Sequence, residues 1–533
     1  MVSTKKTLYI ISLVLIILLG IYFRFQHLDL TRFEHEMVRD IEISSQIVDR
    51  NYIFHGVLPK TESQAQNTFG PLSYYLMALG LIFSPNIYFY SLTPIWIIAL
   101  LDLLGAFIAY KIGKEFFNTT IGILTLSFYL LSPWQIIHVA TVLSPTSFMP
   151  LFVLLFFYSA FKLLIHKEDI YIIPAILFLS LQMQLHLTSL LLAFTFLLTL
   201  ILFKRNVNKK YFFIGILLAL LAFTPYIYHN LPDNLLGSQY NLITQRAEST
   251  FVRTTLESFG TPALFITPYL GAFTLGKDIS PFQNNLFDYY FLFLTGIFLV
   301  LFILSFIYFL RKIWNNLPNY TTSLKKTISK LETKLQENKK LRTYITLFIF
   351  FITPLLIFSI KGSNVTPHYF IIVFPLQIII LSIFLNSLLK KNKTITLCLI
   401  ILLLLSNTLY LFSYYNFVET NGGTQGITGL TYANKMEVVH YILQDNQPEL
   451  PIVYYKGQKP LIRSFNYFFE LYDRKPNHQI IEHISDFEKG YLILDRYSFY
   501  STFTGTPLPR EDYPIIDTLE IKNFKHIEVI KKA

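Results

Sequence analysis

From Thr394 to Phe412 the chain carries no charged residue. A helix of about 20 apolar residues is what crosses the hydrocarbon core of a bilayer. Leu8–Tyr22 and Phe287–Phe309 read the same way. In lipid, backbone polar groups find partners only within helices or closed barrels, and unbroken runs of this length belong to helices. Charged residues make up 14% of the chain, against about 25% in soluble domains, so such runs dominate it. The expected architecture is a polytopic α-helical membrane protein. Its roughly eleven spans lie at 7–25, 88–110, 118–137, 147–165, 169–185, 187–203, 211–229, 287–310, 343–360, 368–389 and 394–413. The only cysteine, Cys398, sits inside a run, which excludes an internal disulfide and a cysteine metal site. No small-residue cleavage site follows the first run, which is therefore read as a retained helix.

The net charge of +11 raises nucleic acid as a partner, but the distribution of the charge argues against it. Lysine and arginine concentrate in alternate gaps: Lys5/Lys6, Lys111/Lys114, Lys162/Lys167, Lys204–Lys210, Arg311–Arg342 and Lys390–Lys393. That is the positive-inside pattern of a multi-pass cell-membrane protein with a cytoplasmic N-terminus. It leaves 26–87, 138–146, 230–286 and 361–367 as external segments, together with the tail. Pro71–Phe83 is apolar but too short to cross comfortably, and is expected to lie as a helix in the outer interface. Thr321–Leu341 sets Leu324, Ile328, Leu331 and Leu335 on one face among lysines, as an amphipathic helix on the inner leaflet would. The chain thus divides into a membrane module at 1–415 and an external α/β domain at 416–533. In the latter, Pro451–Tyr455 and Tyr491–Leu494 read as strands, and Met436–Gln444 and Phe465–Leu471 as helices.

The richest chemistry follows the first span directly. Glu34, His35, Glu36, Arg39, Asp40 and Glu42 fall within nine residues. On a helix, Glu36, Arg39, Asp40 and Ile43 share a face, while Ile41, Ile47 and Val48 turn toward the bilayer. A carboxylate held there can serve as a general base, and the adjacent arginine can orient it or meet a phosphate. A solvated, charged interfacial helix is the alternative reading. Further polar candidates are His138, with Thr141 and Ser144, in a turn at the bundle mouth. Gln182, Gln184 and His186 lie at the end of a short helical pair. Asp102, deep in the second span, most simply bonds to a neighbouring helix. The few outward cations, Arg246, Arg253, Lys277 and Lys361, with His368, can hold a lipid-linked phosphate. No P-loop, dinucleotide fingerprint or His-Glu-x-x-His motif is present, so nucleotide-driven chemistry is unsupported.

Taken in order, these motifs resemble the GT-C membrane glycosyltransferases of the family 39 type. That type includes the dolichyl-phosphate-mannose protein mannosyltransferases and the bacterial lipid A aminoarabinose transferase. The resemblance covers roughly 5–415 and rests on Glu36-Met37-Val38-Arg39-Asp40, Gly70-Pro71-Leu72-Ser73-Tyr74-Tyr75 and Lys111-Ile112-Gly113-Lys114. Leu131-Ser132-Pro133, Gln184-Leu185-His186 and Thr224-Pro225-Tyr226 complete the series. It implies inverting sugar transfer from a polyprenyl-phosphate donor to a lipid, glycan or protein acceptor at the external face of the cell envelope. The family's catalytic aspartate falls on Glu36, with Glu34 as substitute. The donor phosphate or the rest of the substrate would be met by Arg39, Asp40, His138, His186, Arg246, Arg253, Lys361 and His368. Where the family often has an acidic residue before a proline, this chain has Ser144-Pro145, so no metal is carried over, and no cofactor is expected. A transporter or flippase of lipid-linked glycan, or a catalytically inactive scaffold of the same layout, is the competing reading.

Overall fold

The computed structural model describes residues 4–50, 70–230, 267, 285–318, 324–361, 367–423, 430–444, 453–456, 459–472, 478–480, 490–495, 517–519 and 527–532. Through the membrane part the helices are α1 (Thr4–Phe25), α2 (His35–Val48), α3 (Leu72–Ile82), α4 (Ile87–Tyr90), α5 (Thr93–Phe116), α6 (Thr119–Leu130) and α7 (Pro133–Thr141). They continue as α8 (Met149–Phe161), α9 (Ile172–Leu185), α10 (Ser189–Leu202), α11 (Lys209–Asn230), α12 (Asn285–Trp314), α13 (Leu324–Glu337), α14 (Lys339–Lys361), α15 (Phe374–Lys391) and α16 (Lys393–Asn421).

The eleven expected spans fall mostly on helix, with breaks at Ser91–Leu92 and Leu131–Ser132 and a 3-10 start at Pro367–Ile372. Among the described residues, six helical segments are long and apolar enough to cross a membrane, or seven if the bent pair α6–α7 is one span. The bend is 49° and follows from sequence. Pro133 forces Ser132 out of helical conformation, and Ser132 Oγ accepts from Gln135 N at 3.4 Å, capping the new helix. At 11 residues, α3 is well short of a crossing. Burial follows the helical period on α5, where Ile98, Asp102, Ala106 and Ala109 face inward while Leu100, Leu104 and Phe107 are exposed. An exposed apolar face on a spanning helix is a lipid-facing one. The centre of the bundle is α15, buried on every side from Phe374 to Asn386.

Small residues set the closest approaches. A Cβ on Gly113 would meet Gly122 Cα at 2.8 Å, where α5 crosses α6, and one on Gly80 would meet Pro94 Cα at 2.5 Å. The second contact fixes α3 against the start of α5 through backbone rather than a movable side chain. Gly80→Val is expected to destabilise the protein by about 1–3 kcal/mol, the usual result of overpacking, read as a lowered unfolding midpoint in detergent.

Three segments depart from expectation. The segment 138–146 is mostly not a turn: His138–Thr141 complete α7 and Pro145–Phe148 form a 3-10 helix. The amphipathic α13 packs its Leu331 and Leu335 edge on the protein core. Gln336 Nε2 donates to Phe203 O at 2.6 Å, and Lys334 Nζ to Leu317 O at 2.9 Å. The last membrane helix, α16, runs to Asn421, so a boundary at 415/416 falls inside it.

Beyond α16 lie α17 (Tyr432–Leu443), β1 (Val453–Lys456), α18 (Lys459–Leu471), β2 (His478–Ile480), β3 (Gly490–Asp495), β4 (Asp517–Leu519) and β5 (Ile527–Lys532). They form one sheet in the order β2-β1-β3-β5-β4, with β1 parallel to both neighbours and β5 antiparallel to β3 and β4. The α18 crossover between β1 and β2 is what a parallel pairing requires.

Candidate active site after the first helix

The loop after α1 is held at both sides. Arg32 N donates to Thr141 O at 3.3 Å, at the end of α7, and Tyr432 N donates to Thr31 O at 2.8 Å. Phe33 is buried among Tyr432, Tyr467 and Phe468. Lys435, 1% exposed, reaches Phe33 O with its ammonium and donates to Ser464 Oγ at 2.9 Å. Arg463 on α18 pairs with Glu42. Helix α2 is thereby wedged between α3 and α18.

Glu34 precedes the helix as its N-cap residue, with Arg32 Nη1 4.0 Å from its Oε1. Glu36, in the first turn, is exposed, whereas Asp40, one turn on, is buried. Arg39 donates to Asp40 Oδ1 through Nε at 2.8 Å and Nη2 at 2.6 Å. The Tyr74 hydroxyl of α3 lies near enough to Asp40 to favour its charged form. Burial drives the Asp40 pKa up to about 6 against the opposing charge of Arg39, and the nearby Glu36 pushes the same way as burial. The expected shared face is therefore split: Asp40 and Ile43 turn into the protein and Glu36 faces out. Ile41, expected toward the bilayer, is fully buried in the protein core.

The three candidate histidines come from three separate elements. His138 stacks on Trp134, ring centroids 5.3 Å apart, with Nε2 3.4 Å from Thr146 Oγ1. His186, which ends α9, has Nδ1 2.9 Å from Thr188 Oγ1 and its ring 5.5 Å from that of His368. His368 lies within electrostatic range of both His138 and His186. Ser144 Oγ lies 2.7 Å from Thr146 Oγ1. Two distant motifs also meet: Gly70 N donates to Gln184 O at 2.9 Å, and Gln184 Nε2 donates to Ala222 O at 3.0 Å. Arg246, Arg253 and Lys277 lie outside the described residues, as does the side chain of Lys361. Among the described residues no group of three histidines or carboxylates could hold a metal ion.

Asp102 does bond to its neighbours. It accepts from Arg24 Nε at 2.7 Å, Tyr129 OH at 2.7 Å and Gln135 Nε2 at 2.6 Å. Arg24 Nη1 also donates to Gly20 O and Leu130 O. Sequence reasoning missed two participants, Arg24 and Arg32, and placed Tyr74 in a motif without foreseeing its place beside Asp40. Arg32 had a usable signal, being a cation on the side of the membrane where cations are scarce. It stands near His138 and Tyr414.

Residues 69–229 match the family model for dolichyl-phosphate-mannose-protein mannosyltransferase. Among solved structures, that of ArnT from Cupriavidus metallidurans bound to undecaprenyl phosphate aligns over 98% of each chain, at 11% identity and a TM-score of 0.55. The archaeal oligosaccharyltransferase AglB from Archaeoglobus fulgidus, in complex with an inhibitory peptide and a dolichol-phosphate, aligns over 92% of this chain and 70% of its own, at 12% identity and a TM-score of 0.46. No curated protein matches the chain in sequence. The fold is that of a multi-pass GT-C membrane protein. The chain resembles GT-C glycosyltransferases, and the matched stretch contains the Gly70-Pro71, Ser132-Pro133 and Gln184-Leu185-His186 motifs.

Proposed function

We propose that this protein transfers a sugar from a polyprenyl-phosphate donor to an acceptor at the external face of the membrane, with inversion at the anomeric carbon. The observation that carries the reading is the pairing of an exposed carboxylate, Glu36, with the half-buried Arg39 and buried Asp40 one turn further along the same juxtamembrane helix. Glu36, or Glu34 beside it, takes the proton from the acceptor hydroxyl as that oxygen attacks the sugar. The electron pair of the broken glycosidic bond leaves on the lipid phosphate. Cations stabilise that departing charge. Arg32 lies 4.0 Å from Glu34 and Arg39 follows Glu36 by three residues on α2; both are assigned that task, with Arg246, Arg253 and Lys361. His138, His186 and His368 line the mouth and donate hydrogen bonds to donor oxygens. The family match over 69–229 supports the reaction class, and the aligned ArnT structure supports a lipid-phosphate ligand by analogy of fold. The sequence module at 1–415 would then house the reaction, and the tail from 416 would hold the first loop in place.

The test is transfer from a synthetic polyprenyl-phosphate sugar by the purified chain in nanodiscs. Glu36→Gln is expected to lower the rate about 10²–10⁴-fold, the span of general-base catalysis, with donor binding retained. Full rates in Glu36→Gln and in Glu34→Gln would exclude both as the base. Donor movement across the bilayer without transfer would favour a flippase.

A further inference from the structure

At the opposite end of α15 from His368, about 27 Å along the helix at 1.5 Å per residue, a pocket of about 500 Å³ opens between the ends of α5, α12, α14 and α15. Four lysines line it, Lys312 from α12, Lys340 from α14 and Lys390 and Lys391 from α15, together with Tyr308 and the buried Asn386.

The charge at this end is arranged unevenly. Three other cations here have acidic partners: Lys162 pairs with Glu115 and Glu168, Lys204 with Glu332, and Arg205 with Asp169. Among the described residues, none of the four pocket lysines has a carboxylate within 4.0 Å. Four like charges from three helices therefore line one concavity with no carboxylate among the described residues paired to any of them. Such convergence stores repulsion that an anion relieves, and each lysine supplies three donors. The walls are mixed: Lys312 Nζ lies 5.1 Å from the Tyr308 ring centroid, and Ile307 and Leu310, beside it on α12, are exposed apolar residues. A polar basic cup beside an apolar, lipid-facing strip suits a phosphate group attached to acyl chains. Basic pockets between spanning helices take anionic headgroups on this basis.

We propose that this pocket is a binding site for a phosphate-bearing anion, separate from the candidate active site and independent of the reaction assigned there. The headgroup of an anionic phospholipid and free phosphate share the chemistry, and the test separates them. The full chain is reconstituted in phosphatidylcholine nanodiscs, in phosphatidylcholine–phosphatidylglycerol nanodiscs, and in phosphatidylcholine nanodiscs with inorganic phosphate. Its unfolding midpoint is followed in each. Two variants carry the same charge change: Lys312→Gln/Lys391→Gln in the pocket, and Lys209→Gln/Lys210→Gln at the exposed start of α11.

An upward shift of a few degrees is expected with phosphatidylglycerol for the wild type and the α11 variant, and is expected to vanish in the pocket variant. The same pattern with inorganic phosphate alone would assign the site to a free anion. Equal loss of the shift in both variants would show general surface electrostatics and overturn the site, as would a shift that survives in the pocket variant or no shift in any arm. Should Lys312→Gln/Lys391→Gln fail to fold, Lys340→Gln/Lys390→Gln, at two exposed positions, takes its place with the same outcomes.

Discussion

Arg24→Ala is expected to destabilise the folded bundle by about 3–5 kcal/mol, which is the usual cost of removing one partner of a buried ion pair. Both Arg24 and Asp102 are essentially excluded from solvent. Without the guanidinium, the Asp102 carboxylate keeps only Tyr129 and Gln135 as donors, and its charge is uncompensated at membrane depth. Leu130 O and Gly20 O lose a donor at the same stroke. The lesion spreads because the pair joins α1 to α5, while Tyr129 and Gln135 flank the α6–α7 bend. Arg24→Met with Asp102→Leu, replacing both charges by apolar groups of similar bulk, is expected to recover most of the loss, since apolar replacements of buried pairs are often neutral or stabilising. Unfolding midpoints in nanodiscs of the two single variants and the double variant measure this. A double variant as unstable as the sum of the singles would show that the pair is not acting as a unit.

Asp40→Asn carries the second large effect, through pH. The native carboxyl has its pKa raised to about 6, above the value near 3.9 of an unfolded chain. The folded state therefore binds the proton more tightly, and its stability advantage is full below about pH 4 and declines as pH rises toward 6. Activity has the opposite sign. On the proposed function, protonation of Asp40 would loosen its hold on Arg39, and the ionised pair would hold Arg39 for the donor. The transfer rate is accordingly expected to rise through pH 6, at the upper end of the interval from about pH 4 to 6 over which stability falls. Asp40→Asn fixes the neutral form, so both dependences should disappear and the rate at pH 7.5 should drop about 10²-fold, a typical result of misplacing a group by about an ångström. An acidic limb at pH 6 that persists in the variant would assign the titration to another residue.

The membrane character was legible because apolar runs such as Thr394–Phe412 leave a chain no soluble alternative. The helical segments followed from them. Helix length was less legible: α9 (Ile172–Leu185) and α10 (Ser189–Leu202) have 14 residues each, short of a full crossing, and hydropathy does not see where a protein wall replaces lipid. For the same reason Ile41 was assigned to the bilayer when it packs on other helices. At the site, the acidic segment after α1 announced itself by density of charge. What composition could not reveal was which carboxylate is desolvated. That depends on Tyr74, on a helix 34 positions further along, and on the pleat of α2 between α3 and α18. Arg24 was hidden by its position at the end of an apolar run, where an arginine normally reads as a boundary marker, and the cradle for Asp102 needs three helices to exist at all.

The clasp on the first loop has a consequence in time. Phe33 leaves the ribosome about 400 residues before Lys435, which at roughly 5–20 residues per second is an interval of order tens of seconds. Through that interval the loop bearing Glu34 and Glu36 has no partner for Phe33 O, Thr31 O or Glu42, because every one of those partners is still unmade. A nascent chain already threaded through the membrane thus has its acidic segment in place but unset. The clasp on the first loop is thus closed by residues made about 400 positions after the segment it holds.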